Sequence, residues 1–205
     1  MLRRCGGDLE VIVDGTFLIS SANAASSRAL VTAGLPRVEG DRLRVLIGGL
    51  GLGYALDAAL EEPRVERVTV AEYEPLIVDW FLAHGEGRAG RLAAGEAVGR
   101  ARADVADVMR ERSGAFDLVA LDTDNGPDWL VREANAGLYD EAGVALAHAA
   151  LRPGGVAVFW SPERYDWFGA RLAAVFPRVD EVAAHDRIGA RRYEYTMYVA
   201  GRGVD

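Results

Sequence analysis

At 205 residues, half of them apolar, the chain is long enough for one well-buried core and short for two. Its formal charge of -8 and pI near 5.0 argue against a nucleic-acid partner, because binders of a phosphate backbone draw most of their affinity from clustered cations. All 23 basic side chains counted as Lys or Arg are arginine, which excludes a Schiff-base lysine and a phosphate-loop lysine. The one cysteine, Cys5, has no internal disulfide partner and no metal-ligand spacing around it. No apolar run approaches the roughly 20 residues of a membrane-spanning helix, and Met1 to Asp8 lacks a signal-peptide apolar segment. The expectation is a soluble, cytoplasmic protein without a membrane partner.

In chain order, Leu9 to Val13 and Thr16 to Ile19 flank Asp14-Gly15, a dipeptide suited to a tight hairpin turn. A short helix over Ala24 to Thr32 and a loop through Pro36 and Gly40 complete an N-terminal extension of residues 1–40. Residues 41–205 read as alternating strands and helices. Strands are predicted over Leu43 to Ile47, Arg67 to Ala71, Val98 to Ala103, Phe116 to Leu121, Val156 to Trp160, Arg178 to Ala183 and Tyr193 to Ala200. Helices are predicted over Tyr54 to Leu60, Pro75 to His84, Val105 to Arg112, Glu141 to Leu151 and Arg164 to Val175. Pro153-Gly154-Gly155 is read as the stop of one helix and the turn into the next strand, and the Gly- and Ala-rich stretch of residues 85–99 as a loop. The class is α/β: a mostly parallel seven-stranded sheet with helices on both faces, preceded by a short hairpin.

Ligands of open parallel sheets lie beyond the carboxyl ends of the strands. The first such exit carries Gly48, Gly49, Gly51 and Gly53, which permit a tight turn and turn main-chain N–H groups toward a polar ligand, or else serve as a packing turn. The next strand ends in Glu72, near the roughly 20-residue offset at which a carboxylate accepts hydrogen bonds from ribose hydroxyls. Glu74 is read as a solvated neighbour. Asp104 opens a helix, where it can cap the N-terminus and also accept a hydrogen bond from an adenine amine. Asp122, Asp124 and Asn125 follow the central strand as a reaction edge, although Asp-Asn-Gly-Pro is also ordinary turn chemistry. Trp129 and Tyr139 are candidates for the acceptor side, with core packing the competing reading. His84, His148 and His185 are isolated in sequence, so no metal is expected.

The pattern from Asp14-Gly15 to Trp160 resembles the spermidine synthase-like branch of the class I S-adenosylmethionine-dependent methyltransferase superfamily. The resemblance is carried by the strand entering Gly48-Gly49-Leu50-Gly51-Leu52-Gly53, by Ala71-Glu72, Ala103-Asp104 and Asp122-Thr123-Asp124, and by Leu138-Tyr139-Asp140 followed by Leu151-Arg152-Pro153-Gly154-Gly155. It implies a Rossmann-like methyltransferase fold in which the glycine loop and Asp122 contact the cofactor, Glu72 holds the ribose and Asp104 reads adenine. It also implies S-adenosylmethionine, or its decarboxylated form, as cofactor, a small-molecule acceptor and a homodimer.

The sequence departs from the family in places that bear on the reaction. Aminopropyltransferases carry a loop aspartate where this chain has Leu50 or Gly51, and that carboxylate would repel the tail of intact S-adenosylmethionine. The family's Asp-Ser-Ser-Asp-Pro edge is altered, Ser26-Ser27 stands where a tyrosine-histidine pair is expected, and the N-terminal region is short. The leading expectation is therefore a methyltransferase, with Asp122 orienting the acceptor or the cofactor amine and Asp124 acting as base or anchor. The alternatives are aminopropyl transfer to a diamine in polyamine synthesis and a nucleoside-binding module without catalysis.

Overall fold

The structure is a computed structural model and describes residues 1–13, 16–84, 98–99, 102–123, 126–128, 130, 133–188 and 190–204. Strands β4 (Leu43–Gly48), β5 (Val65–Ala71), β6 (Val98–Gly99), β7 (Phe116–Leu121), β8 (Leu151–Ser161), β9 (Arg178–Ile188) and β10 (Arg191–Gly201) form one sheet in the order β6-β5-β4-β7-β8-β10-β9. Pairing is parallel from β6 to β8, and β10 alone runs against its neighbours. The central strands are near-continuous apolar runs because both their faces are covered: Val45, Leu46, Ile47, Leu118, Val119 and Ala120 are fully buried.

Helices α1 (Ala24–Gly34), α2 (Tyr54–Glu61) and α3 (Pro75–His84) bury Leu30, Val31, Leu56 and Ile77 on one face of the sheet. On the other face α4 (Val105–Glu111), α5 (Ala136–Tyr139), α6 (Glu141–Ala150) and α7 (Asp166–Ala173) bury Val108, Leu138, Val144 and Phe168. Most elements match their predicted spans to within a few residues. No helix among the described residues is long and apolar enough to cross a membrane.

Three differences from the sequence reading have physical reasons. The N-terminal unit is a three-stranded antiparallel sheet, not a two-stranded hairpin: β1 (Leu2–Cys5) pairs with β2 (Asp8–Val13), which pairs with β3 (Thr16–Ser20). Strand β1 is mostly exposed and carries Arg3-Arg4, so it shows no apolar alternation; Gly6, at φ +62°, makes its turn into β2. Second, Pro153-Gly154-Gly155 lies inside β8, as residues 152–155 bulge opposite Asp117 between the pairs Phe116–Leu151 and Leu118–Val156. Gly154, at φ +77°, donates its N–H to the carbonyls of Arg202 and Gly203. Third, β9 and β10 extend well beyond their apolar segments, because an antiparallel ribbon can keep its backbone pairing with exposed side chains. The Asp14-Gly15 turn and residues 85–97 of the predicted 85–99 loop lie outside the described residues, and residues 98–99 form β6.

Candidate functional site

The register of the central strands puts the site together. Gly48 pairs with Ala71 on one side and Leu121 on the other, so β5, β4 and β7 end level. Gly49, Glu72 and Asp122 therefore leave the sheet side by side. This is also where the chain, having built β5 and β6 on one flank of β4, crosses to the other flank to form β7, a topological switch point that opens a crevice. Backbone hydrogen bonds fix the alignment: Gly49 N donates to Ala71 O (2.9 Å), Asp122 N to Gly48 O (2.9 Å) and Ala103 N to Glu72 O (2.9 Å).

The glycine loop is tightly constrained. Gly49, Gly51 and Gly53 have φ of +90°, +49° and +84°. A Cβ on Gly49 would lie 2.1 Å from Asp122 O, one on Gly53 2.2 Å from Phe81 Cε2, and one on Gly51 3.2 Å from Ile19 Cδ1. The last contact shows that the N-terminal sheet reaches over the loop, where Leu2, Leu9 and Val11 share a small apolar cavity with Leu52, Ile77 and Trp80. Leu50 is buried in the core.

Three of the loop amides, those of Gly49, Leu50 and Gly53, are hydrogen-bonded within the protein. Gly49 N donates to Ala71 O (2.9 Å), Gly53 N to Leu50 O (2.8 Å), and Leu50 N to Glu72 Oε2 (2.8 Å). Glu72 Oε1 accepts from Glu74 N (2.8 Å). Glu72 thus clamps the loop while only 7% exposed. Burial pushes its carboxyl above the ordinary glutamate range, an effect opposed by the amides of Leu50, Glu74 and Gly51. Each carboxylate oxygen has a second lone pair, so Glu72 retains acceptor capacity for ribose hydroxyls.

Asp104 caps α4, its Oδ1 accepting from Ala106 N (2.9 Å), and the Ala103–Glu72 bond holds it beside the crevice. Asp122 is the strongest electrostatic anomaly. Its carboxyl is pushed up to about 6, chiefly by burial and further by the nearby Glu72 charge, against a lowering by the Ser27 hydroxyl. Ser27 Oγ donates to Asp122 Oδ2 at 3.4 Å, a long bond that brings the start of α1 to the reaction edge. Beside them, the buried Thr123 Oγ1 has no hydrogen-bond partner among the described residues.

Sequence reasoning missed the residue that holds Ser27 in place. Asp186 on β9 is 3% exposed, and its Oδ1 accepts from Ala25 N (2.9 Å) and Ser26 N (3.3 Å) at the start of α1. The signal was an aspartate within a strand, and it pointed nowhere until α1 was seen to dock there. Asp186→Asn turns an amide NH2 or a weaker acceptor toward those N–H groups. The expected cost is about 2 kcal/mol, read as a lower urea midpoint at unchanged m-value.

Of the other predicted residues, Tyr139 is 3% exposed and packs edge-to-face on Phe168, with ring centroids 5.6 Å apart. Asp124, Asn125 and Trp129 lie outside the described residues. Gly126, at φ +97°, follows them and abuts Pro162, where its Cβ would lie 2.4 Å from Pro162 Cδ. The described residues contain no cluster of His, Cys, Asp and Glu able to hold a metal ion.

Neither models of protein families nor curated protein sequences match this chain. Solved structures do. The chain is similar to a spermidine synthase in complex with the transition-state analogue AdoDATO, with a TM-score of 0.75 and 20% identity over 96% of this chain and 67% of that one. It is similar to the spermidine synthase of Thermotoga maritima, with a TM-score of 0.72 and 20% identity over 96% and 66% of the two chains. Human methyltransferase-like protein 13, in complex with SAH, gives a TM-score of 0.61 and 19% identity over 85% and 81%. The chain therefore shares the Rossmann-like fold of these proteins, and it spans about two thirds of the length of those synthases.

Proposed function

We propose that this chain is an S-adenosylmethionine-dependent transferase, and within that class a methyltransferase acting on a small-molecule acceptor. The observation that carries the reading is electrostatic: two carboxylates with raised pKa, Glu72 and Asp122, flank a glycine loop in which the amides of Gly49, Leu50 and Gly53 are already engaged. Such a crevice disfavours a pyrophosphate, which needs free N–H groups, and favours a cationic nucleoside. The solved relatives in complex with AdoDATO and with SAH support the same ligand class.

The residues fit that ligand. The glycine at 49 lets the loop pack directly against the Asp122 carbonyl, where a Cβ would clash, and beside it lies the Thr123 hydroxyl, which has no hydrogen-bond partner among the described residues. Glu72 would hold the ribose hydroxyls and Asp104 the adenine amine. Bound S-adenosylmethionine supplies a sulfonium methyl carbon open to in-line attack. Asp122, oriented by Ser27, would hold the cofactor amine or take a proton from the acceptor at its carboxylate. The N-terminal sheet over the loop would keep water away. Asp124, Asn125 and Trp129, outside the described residues, remain proposed from the sequence alone as acceptor-side residues; in the same reading a homodimer would form through the N-terminal sheet.

Methyl transfer is favoured over aminopropyl transfer because no carboxylate projects from the loop: Leu50 is buried, and the Gly51 Cβ position lies against Ile19. Calorimetry with both cofactors tests this. S-adenosylmethionine should bind, and near pH 6 its heat should vary with buffer ionisation enthalpy, because a cation beside Asp122 lowers that carboxyl's pKa and expels its proton. Binding of the decarboxylated form alone would instead indicate aminopropyl transfer. Binding without turnover of amine, carboxylate or hydroxyl acceptors would indicate a non-catalytic module.

A further inference from the structure

The opposite, amino-terminal edge of the sheet carries a second cleft, of about 580 Å3, lined by Arg44, Glu66, Arg67, Thr69, Arg112 and Phe116 among others. Its volume falls within the roughly 300–1,000 Å3 of small-molecule sites. Arg44 and Arg67 are register partners on the adjacent parallel strands β4 and β5, so two like charges stand side by side, an arrangement that costs energy unless an anion joins them. Arg112 reaches in from the end of α4, its Nη1 3.5 Å from Thr69 Oγ1.

The acid available to these cations is already engaged elsewhere. Glu66 is hydrogen-bonded by Arg42 from outside the cleft (Nε to Oε1, 3.0 Å), and Arg44 Nε stands 3.8 Å from its other oxygen. Arg67 acts on Glu66 through space but makes no hydrogen bond or close ion pair among the described residues. Arg28, Arg37, Arg102, Arg110 and Arg164, by contrast, each have an acidic partner. In a chain of net charge -8, Arg67 and Arg112 thus have no acidic partner within ion-pair distance among the described residues, and Arg112 reaches one polar floor residue, Thr69, which is 1% exposed and whose hydroxyl can also donate.

We propose that this cleft binds the phosphate group of a small phosphorylated molecule, separately from the nucleoside crevice. Planar guanidinium forks converging from β4, β5 and α4, with a hydroxyl beneath, match a tetrahedral oxyanion that offers several oxygens at once. The volume exceeds what a lone phosphate fills, leaving room for the group that carries it.

Thermal-shift and calorimetric titrations of the whole chain at low ionic strength, with inorganic phosphate, pyrophosphate and ribose 5-phosphate, test the proposal. Ribose 5-phosphate lacks the adenine that would draw a probe to the other edge. The expected result is saturable binding that weakens with added salt and falls at least roughly tenfold in both Arg67→Gln and Arg112→Gln. Arg110→Gln, the same charge change outside the cleft, should bind as wild type. Tighter binding of ribose 5-phosphate than of phosphate would identify a phosphorylated metabolite as the source, and equal binding free phosphate. No saturable binding, or undiminished affinity in Arg67→Gln and Arg112→Gln, would overturn the proposal.

Discussion

Gly49→Ala should abolish cofactor binding and lower the Tm by about 10 °C. The new methyl would sit 2.1 Å from the carbonyl oxygen of Asp122, a backbone atom fixed by the level strand ends, at a φ of +90° that L-residues rarely adopt. The left-handed backbone and the overlap together cost roughly 3 kcal/mol or more, and a chain of this size loses about 2–4 °C per kcal/mol. Relief requires β4 and β7 to separate at the switch point, which displaces Asp122 and the amides clamped by Glu72 together. Gly137→Ala is the matched control: open space surrounds it in α5, and its Tm should hold or rise slightly. A Gly49→Ala protein with wild-type Tm and affinity would show that the loop does not have this geometry.

Asp122→Asn should stabilise the protein while removing its activity. In the folded chain this carboxyl titrates near 6 against an ordinary 3.8, so between those values the native state holds a proton that the unfolded chain has released. Stability from this group is therefore complete below about 3.8, falls as pH rises through the window, and is constant above about 6. The asparagine removes that cost. The gain at neutral pH should be about 2 kcal/mol, less than the full shift because the residue keeps partial exposure, and the decline of stability between pH 4 and 6 should flatten. The amide oxygen can still accept from Ser27. Transfer activity should fall by roughly a hundredfold or more. Denaturant curves at several pH values, alongside turnover, separate this from a structural role, for which stability and activity would fall together.

The opposed signs follow from how the site is built. A carboxylate held from water beside another is costly in the free protein and would become favourable beside the proposed cationic cofactor, so in that reading affinity is stored as electrostatic strain at Glu72 and Asp122. The rest of the scaffold restrains them: Asp186 fixes the start of α1, α1 carries Ser27, and Glu72 fixes the loop.

The strand exits were legible from sequence because Leu43–Gly48, Val65–Ala71 and Phe116–Leu121 are short apolar runs that each stop at a glycine or an acid. The same pattern put Gly49, Glu72 and Asp122 at strand ends, and the structure sets these three ends level. What was not legible depended on distant pairing. Asp186 lies 160 residues from its partner Ser26, and no local pattern links them. Pro153-Gly154-Gly155 has the composition of a turn, and only the pairing of β7 with β8 makes it a bulge. Strand β1 and the tip of the β9–β10 ribbon, with Arg187, Arg191 and Arg192, are held by backbone bonds that leave no hydrophobic trace. That the Leu50 amide serves Glu72 required the distance itself.

Calorimetric titration of the intact protein with S-adenosylhomocysteine and with its 2′-deoxy analogue probes the adenosyl crevice most directly. Saturable binding of the first, weakened at least roughly tenfold when the sugar hydroxyl is missing, is the predicted outcome. No heat from the parent compound, or equal affinity for the two, would contradict a ribose held by Glu72.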